Sequence, residues 1–304
     1  MTTPIAYLNG QFVPVSQANL HVFDLGVVGG AAVTEMVRTF RQVPFRLDQH
    51  LDRLAKSLDA VGFAIGLTTA ELHAICDQVV AVNSKLIPAA QDLGLIVFVT
   101  AGLNPTYVGR ADPSANRPTV CVHTFPLPFE LWADAYQAGL HLVTVNTRNI
   151  PDDVIDPRIK HRSRLHWHLA GREARQIDPT AMAILSDRDG CLTETATGNL
   201  CVVDGATIIS PATHVLEGIS REYLAELAAS LGIGFVHSQV TAEDLACADE
   251  AFLTSTPNCL LPVTRFNQQP IGTGTPGPIF QQLIAAWSAT VGVDIITQMR
   301  QGTN

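Results

Sequence analysis

A cluster of basic side chains surrounds one lysine near the middle of the chain. Residues 158–164 read RIKHRSR, which places Lys160 among three arginines and a histidine. Neighbouring cations lower the pKa of a lysine and favour the neutral amine, the form that attacks an aldehyde. The same cations could help to bind an anionic ligand; the alternative interpretation is a solvated surface cluster. Lys160 is therefore the first candidate for covalent chemistry.

Several residues could bind a phosphate group. Ile219 and Ser220 open a predicted helix, and the free N–H groups at a helix N-terminus suit an anion. An ordinary capped helix is the alternative. Ser255 and Thr256 end a predicted strand and could add hydroxyl groups to such a site. Arg53, on the polar side of an earlier helix, is a further candidate, the alternative being a solvated arginine.

Glu194 could tune a heterocyclic ring. It ends a predicted strand and enters a small, hydroxyl-rich loop that reads TATGN. A carboxylate that faces a pyridine nitrogen keeps this nitrogen protonated and makes the ring an electron sink. A surface glutamate is the alternative.

Two other motifs do not carry chemistry. Residues 272–277 read GTGTPG and match GxGxxG, but no strong strand precedes them and a proline interrupts them, so they predict an exposed loop. His166 and His168 lie two apart on a predicted helix and point to different faces. We therefore predict no metal site.

The elements that must position these residues follow from local patterns. Asn9 and Gly10 predict a hairpin turn within residues 7–15. Leucines at 47, 51, 54 and 58 predict one face of a helix. The remaining predicted helices cover 70–82, 163–176, 218–231 and 278–291, and the predicted strands cover 95–100, 119–123, 140–145, 181–186, 191–193, 200–203, 207–210, 234–240 and 251–254. The two prolines in the stretch FPLPF at 125–129 disfavour both a helix and a central strand, so we place the domain boundary there. We predict an α+β fold, or a loosely α/β two-domain architecture, with a small N-terminal domain, 1–125, and a larger C-terminal domain, 126–304.

Composition narrows the function classes. Hydrophobic residues make up 47% of the 304 residues, so the chain can bury a large core. The net charge of −9 disfavours nonspecific binding to nucleic acid or to an anionic membrane. No apolar window approaches the length of a membrane span, and no signal segment is visible. Six scattered cysteines without a CxxC pair indicate free thiols in a reducing cytoplasm.

The order of these signals resembles the class IV aminotransferases, over nearly the whole chain. The family includes branched-chain and D-amino acid aminotransferases and 4-amino-4-deoxychorismate lyase. The segments that carry the resemblance are YLNGQFV at 7–13, FD at 23–24, EMVR at 35–38, FRLDQHLDRL at 45–54, IK at 159–160, LTE at 192–194, Asn199, LEGISR at 216–221 and TST at 254–256.

The resemblance implies pyridoxal 5′-phosphate (PLP) as cofactor and a ping-pong transamination between an amino acid and a 2-keto acid. It implies a fold type IV architecture, in which a small N-terminal α/β domain and a larger mixed-sheet pseudo-barrel domain hold PLP between them, and a homodimer. By position, Lys160 resembles the Schiff-base lysine and Glu194 the partner of the pyridine nitrogen. Residues that resemble the phosphate cup are Arg53, Ile219, Ser220, Ser255 and Thr256.

The residues that bind the substrate carboxylate in the family are altered here. D-amino acid members place an arginine where this chain has Ala101, and Pro257 has no N–H at a position where branched-chain members donate one. Arg38, Arg162 or Arg164 could substitute. Branched-chain members also carry a tyrosine where this chain has Leu165, and aromatic residues where it has Gly29 and Thr34.

The reaction type has alternatives. The segments around Lys160 and at 258–263 resemble the lyase, but Met36 stands where the lyase has a threonine, and methionine donates no hydrogen bond. Transamination of a branched-chain or similar apolar amino acid is therefore the preferred hypothesis. The alternatives are a lyase acting on an aminodeoxychorismate-like substrate, a D-amino acid or amine transaminase, and a weakly catalytic PLP-binding protein.

Overall fold

The computed structural model describes residues 3–109 and 117–301. The chain divides into two compact units: unit 1 comprises Met1–Leu127 and Ile159–Arg164, and unit 2 comprises Pro128–Arg158 and Leu165–Asn304. The division predicted between residues 125 and 126 lies close to the end of the first stretch. The return of residues 159–164 to unit 1 was not predicted.

Unit 1 is an antiparallel sheet with two helices packed on it. Its elements are β1 (Ile5–Leu8), β2 (Gln11–Pro14), α1 (Leu25–Val28), β3 (Ala32–Phe40), β4 (Val43–Pro44), α2 (Leu47–Val61), α3 (Thr69–Asn83), β5 (Leu93–Thr100) and β6 (Thr119–Pro126). The strands lie in the order β2-β1-β6-β5-β3-β4. Leu51 and Leu54 of α2 and Val79 of α3 belong to one buried cluster with Val37 of β3 and Val97 of β5. The predicted leucine face of α2 is confirmed.

The N-terminal hairpin is also confirmed. β1 pairs with β2 from Ile5↔Pro14 to Leu8↔Gln11. Asn9 and Gly10 have φ angles of 47° and 93°, as a tight hairpin turn requires. Asparagine and glycine adopt this left-handed region at low cost, which explains why the dipeptide fixes the turn.

Residues 159–164 extend the sheet of unit 1. His161 forms an antiparallel bridge with Val33 of β3. The N–H of Thr34 donates to the carbonyl of Lys160 over 2.9 Å, and the N–H of Arg162 donates to the carbonyl of Ala32 over 2.9 Å. The segment therefore lies beside β3 and is held by an isolated bridge, and the helix predicted from residue 163 begins only at Leu165.

Unit 2 is built around a mixed sheet. Its elements are α4 (Ala135–Ala138), β7 (Leu140–Thr144), α5 (Leu165–Ile177), β8 (Met182–Ser186), β9 (Leu192–Thr195), β10 (Asn199–Asp204), β11 (Thr207–Pro211), α6 (Ile219–Ser230), β12 (Gly234–Ser238), α7 (Ala242–Cys247), β13 (Glu250–Ser255), β14 (Cys259–Phe266), β15 (Gln269–Pro270), α8 (Pro278–Val291) and α9 (Ile295–Gln301). The main order is β12-β11-β10-β13-β14-β7-β8-β9. Because β9 also pairs with β10, six strands close into a barrel, as the predicted pseudo-barrel requires.

Two long strands, β3 and β14, were not predicted. All residues of β3 except Met36 are buried, and they include Thr34, Glu35, Arg38 and Thr39. A strand that buries polar residues on both faces, such as β3, shows neither alternation nor an apolar run.

Among the helices of the described residues, none is long and apolar enough to cross a membrane.

Candidate active site

The backbone of Lys160 is held from two sides within unit 1. Its carbonyl accepts a hydrogen bond from the N–H of Thr34 on β3, and its own N–H donates to Ser57 Oγ on α2 over 3.3 Å. The lysine is half-buried. Burial lowers the pKa of His50 and of His161, and the charge of Lys160 lowers both further. The charge of Lys160 therefore acts on both imidazoles, and hydrogen bonds to β3 and α2 hold the backbone of the lysine.

Arg53 forms a buried ion pair with Glu35. Its Nε donates to Glu35 Oε1 over 2.7 Å and its Nη2 to Oε2 over 2.8 Å, while His50 Nδ1 lies 2.8 Å from Oε2. Glu35 is fully buried and Arg53 is 8% exposed. Burial alone would raise the pKa of Glu35, but the charge and hydrogen bonds of Arg53 and the hydrogen bond to His50 lower it to about 2. Glu35 is therefore ionised at neutral pH.

Arg38 lies in the core of unit 1. Only 1% of it is exposed, its guanidinium stacks 3.9 Å from the centre of the Phe40 ring, and its Nη2 lies 3.9 Å from Asp92 Oδ2. Its Nε donates to the carbonyl of Thr39 over 3.2 Å. This arginine stabilises the sheet, and its burial leaves it no surface at which to bind a substrate.

Arg162 is exposed, as is Arg158, but Arg158 is paired with Asp156. Nη2 of Arg162 lies 3.3 Å from Thr34 Oγ1, and Arg162 forms no ion pair within the part of the chain that the structure describes. One side of the residue is open to solvent, yet desolvation by the surrounding atoms lowers the pKa of its guanidinium. Arg164 is half-buried, and its charge contributes to the lowered pKa of His161. A cation in this state suits an anionic ligand.

Glu194 closes the barrel of unit 2. It faces Asn199 across β9 and β10, and Asn199 faces Thr254 of β13, so the three residues form one row. Asn199 Nδ2 donates to Glu194 Oε2 over 3.1 Å and to the carbonyl of Leu216 over 2.9 Å. The N–H of Leu216 donates to the same Glu194 oxygen over 3.2 Å. These bonds fix the orientation of the carboxylate, as a partner for a protonated pyridine nitrogen requires.

The N-terminus of α6 fits a phosphate. Gly218 is its N-cap and no side chain caps the helix, which continues for 12 residues. A Cβ at Gly218 would lie 2.0 Å from Asn199 Oδ1, so only glycine fits beside the Glu194 network. Ile219 and Ser220 follow directly, with Ser220 half-buried. Uncapped N–H groups and a hydroxyl are the donors that an anion needs.

The end of β13 supplies hydroxyl groups. Thr254 Oγ1 is buried and has no hydrogen-bond partner among the described residues, an arrangement that a bound ligand would satisfy. Ser255 is the last residue of β13 and pairs with Cys259, and Thr256 and Pro257 lie in the turn that joins β13 to β14. The donors around α6 and β13 therefore fit a phosphate-bearing cofactor.

Sequence reasoning missed Glu35 and His50. Both stand in the segments that carry the family resemblance, and His50 precedes Arg53 by three residues, the spacing of one helix face. The spacing could have indicated that these two residues meet the same partner.

Comparison with known proteins gives a consistent result. The model of the family described as "Amino-transferase class IV" matches residues 32–266, well over half of the chain. A putative branched-chain-amino-acid aminotransferase of Methanocaldococcus jannaschii is 30% identical over 279 residues, covering 91% of this chain and 93% of that one. A D-alanine aminotransferase of Bacillus licheniformis is 29% identical over 282 residues, covering 91% and 94%.

Solved structures agree in fold. A branched-chain amino acid aminotransferase from T.th., crystallised with pyridoxamine 5′-phosphate, superposes with a TM-score of 0.84 at 26% identity, covering 95% of each chain. The fold type IV architecture is confirmed. The chain therefore belongs to the class IV aminotransferases and is a PLP-dependent transaminase.

Proposed function

We propose that this enzyme moves an amino group from a branched-chain or similar apolar amino acid to a 2-keto acid by a ping-pong mechanism. The observation that carries the proposal is the doubly anchored backbone of Lys160, within a basic segment at the edge of β3. The similarity to branched-chain aminotransferases supports the choice of donor. The D-alanine aminotransferase is almost as similar, so both L- and D-amino acids must be tested as donors.

Each candidate residue has a proposed role. Lys160 would hold PLP as the Schiff-base lysine, and its amine would carry the proton from the substrate Cα. Bound PLP would supply an electron sink. Glu194 would accept a hydrogen bond from the protonated pyridine nitrogen and stabilise its positive charge. The residues that would hold the phosphate are Arg53, the N–H groups of Ile219 and Ser220, and the hydroxyls of Ser220, Ser255 and Thr256.

We propose Arg162 as the residue that binds the substrate carboxylate. Pro257 and Ala101 lack the donors that other family members use, whereas Arg162 is accessible and forms no ion pair in the described residues. Thr34 Oγ1 orients its guanidinium. A bound carboxylate would offset the cost of the partly desolvated charge. Because Arg38 is buried, it has no part in this proposal.

The test is the half-reaction followed by absorption. The visible band of the lysine-linked cofactor should convert to the pyridoxamine form when the correct amino acid is added, and Lys160→Ala should abolish the band while the fold is retained. Conversion by D-alanine but not by L-leucine would overturn the choice of donor. Release of pyruvate without a keto acid acceptor would identify a lyase, and a band that no amino acid converts would contradict transamination.

We also propose a homodimer. An apolar patch on unit 1 includes Val22, Val27 and Tyr107, which are 69%, 57% and 54% exposed. Phe23, next to Val22, connects this segment to Tyr107. Its ring lies 5.5 Å from that of Tyr107, and its carbonyl accepts a hydrogen bond from the N–H of Asn104. Exposed apolar surface of this kind is typical of an interface. Val27→Glu should yield monomers by light scattering, whereas Leu131→Glu, at an exposed leucine of unit 2, should not.

We place the enzyme in the cytoplasm. None of the six cysteines, all of which lie in the described residues, forms a disulfide bond, and four of them are buried. Free, buried cysteines are typical of a reducing compartment. Fractionation of the native cells, followed by immunodetection, tests this assignment.

A further inference from the structure

We propose that Glu35 is a positioning residue for the cofactor phosphate, acting through Arg53. The proposal rests on the phosphate-binding role proposed for Arg53. Glu35 itself touches neither cofactor nor substrate; it fixes the plane of the guanidinium that binds the phosphate.

The geometry of the pair supports this role. Nε and Nη2 of Arg53 donate to the two separate oxygens of Glu35 over 2.7 and 2.8 Å, so the contact is bidentate. A bidentate contact removes rotation about the last bonds of the arginine side chain. His50 Nδ1 fixes the carboxylate in turn at 2.8 Å from Oε2. The guanidinium therefore has one orientation, set by a strand residue that is fully buried.

The proton positions follow from the charges. Glu35 is ionised, so both oxygens only accept hydrogen bonds, and His50 must carry its proton on Nδ1 to donate to Oε2. Burial lowers the pKa of His50, and the hydrogen bond and charge of Glu35 only partly oppose this effect, which favours the neutral imidazole. The cluster thus contains one negative and one positive charge. A dianionic phosphate would therefore bind an arginine whose desolvation cost is already offset by its ion pair with Glu35.

Glu35 also lies on the structural path to Lys160. Arg53 and Ser57 are one turn apart on α2, and Ser57 Oγ accepts the hydrogen bond from the N–H of Lys160. Glu35 directly follows Thr34, whose N–H binds the carbonyl of Lys160. The ion pair therefore joins the two elements that hold the lysine, β3 and α2.

The chain offers a matched control. Arg38 and Asp92 form a second buried arginine–carboxylate pair in unit 1, and both residues are 1% exposed. Asp92 accepts from Thr39 Oγ1 over 2.7 Å and from the N–H of Gln42 over 2.8 Å, and neither belongs to the proposed site. Asp92→Asn should therefore destabilise unit 1 but leave the phosphate affinity of the protein unchanged.

The experiment compares two ligands that differ only in the phosphate. Cofactor is removed from the wild type, Glu35→Gln, Arg53→Ala, the double variant and Asp92→Asn, and each is titrated with PLP and with pyridoxal. Glu35→Gln should weaken PLP binding by about tenfold while pyridoxal binding stays as in the wild type. The double variant should bind PLP no more weakly than Arg53→Ala alone. Asp92→Asn should retain the wild-type ratio of the two affinities.

The outcomes separate the two proposals. An equal loss of PLP and pyridoxal affinity in Glu35→Gln, or an additive loss in the double variant, would overturn the positioning role. Wild-type PLP affinity in Arg53→Ala would instead overturn the phosphate role of Arg53. If Glu35→Gln does not fold, Glu35→Asp keeps the charge and displaces the guanidinium, and the same selective loss is expected. Unchanged PLP affinity in Glu35→Asp would then refute the proposal.

Discussion

Replacing Gly218 with alanine tests the link between the barrel closure and the α6 N-terminus. The new Cβ would lie 2.0 Å from Asn199 Oδ1, whereas real Cβ atoms essentially never come within 3.0 Å of such a neighbour. Asn199 or the start of α6 must therefore move by about 1 Å or more. The φ of Gly218 is −74°, a value that alanine adopts freely, so the clash is the only cost.

The size of the effect follows from the bonds at risk. Asn199 is 6% exposed, and its Nδ2 binds Glu194 and the carbonyl of Leu216. The loss of two hydrogen bonds, with buried groups left unsatisfied, costs about 2–4 kcal/mol. Urea unfolding should show a loss of this size, and PLP affinity should fall because the donors at Ile219 and Ser220 are displaced.

The control is a glycine with room for a side chain. Gly29 has a φ of −130°, and a Cβ there would meet only the carbonyl of Leu25 at 3.6 Å, so Gly29→Ala should change stability by less than about 0.5 kcal/mol. In an Asn199→Ala background, Gly218→Ala should cost little, because the clashing atom is gone. A wild-type free energy of unfolding for Gly218→Ala, or a full cost in that background, would refute the reasoning.

Three further predictions concern individual buried groups. Glu194→Gln should keep PLP bound but slow proton abstraction, measured by stopped-flow absorption; an unchanged rate would remove its role. Because the pKa of Glu35 falls from 4.5 to about 2 on folding, its contribution of about 3 kcal/mol is full above pH 4.5 and is lost as the pH falls towards 2. The stability gap between wild type and Glu35→Gln should therefore narrow in acid unfolding, and a constant gap would contradict the assigned pKa. Asn83→Ala should cost about 2–3 kcal/mol, because the Asn83 amide binds both backbone groups of Ile5 and the hydroxyl of Thr124; a loss below about 1 kcal/mol in urea unfolding would contradict this account.

Much of the local structure could be predicted from the sequence. The leucines of α2 repeat with the period of a helix, and the turn at Asn9 and Gly10 needs positive φ angles that these residues tolerate. The family could be identified because its segments recur in the same order along the chain. These signals are local or ordered, and neither depends on which distant residues meet.

The tertiary structure decided what the buried polar residues do. Arg38 and Arg53 were both candidates for ligand binding, but Arg38 lies on Phe40 and beside Asp92 in the core, whereas Arg53 pairs with Glu35, 18 residues away in the sequence. The strand that carries Glu35 was not predicted, because buried polar residues erase the alternation that marks a strand.

The place of Lys160 likewise required the fold. Its segment returns to unit 1 and pairs with β3, although the residues on either side of it belong to unit 2. Sequence spacing reports the period of a helix or strand, and therefore which residues share a face. Spacing does not show which distant residues pack against that face. For an ionisable group, this tertiary partner determines whether the charge is buried in an ion pair or remains accessible to a ligand.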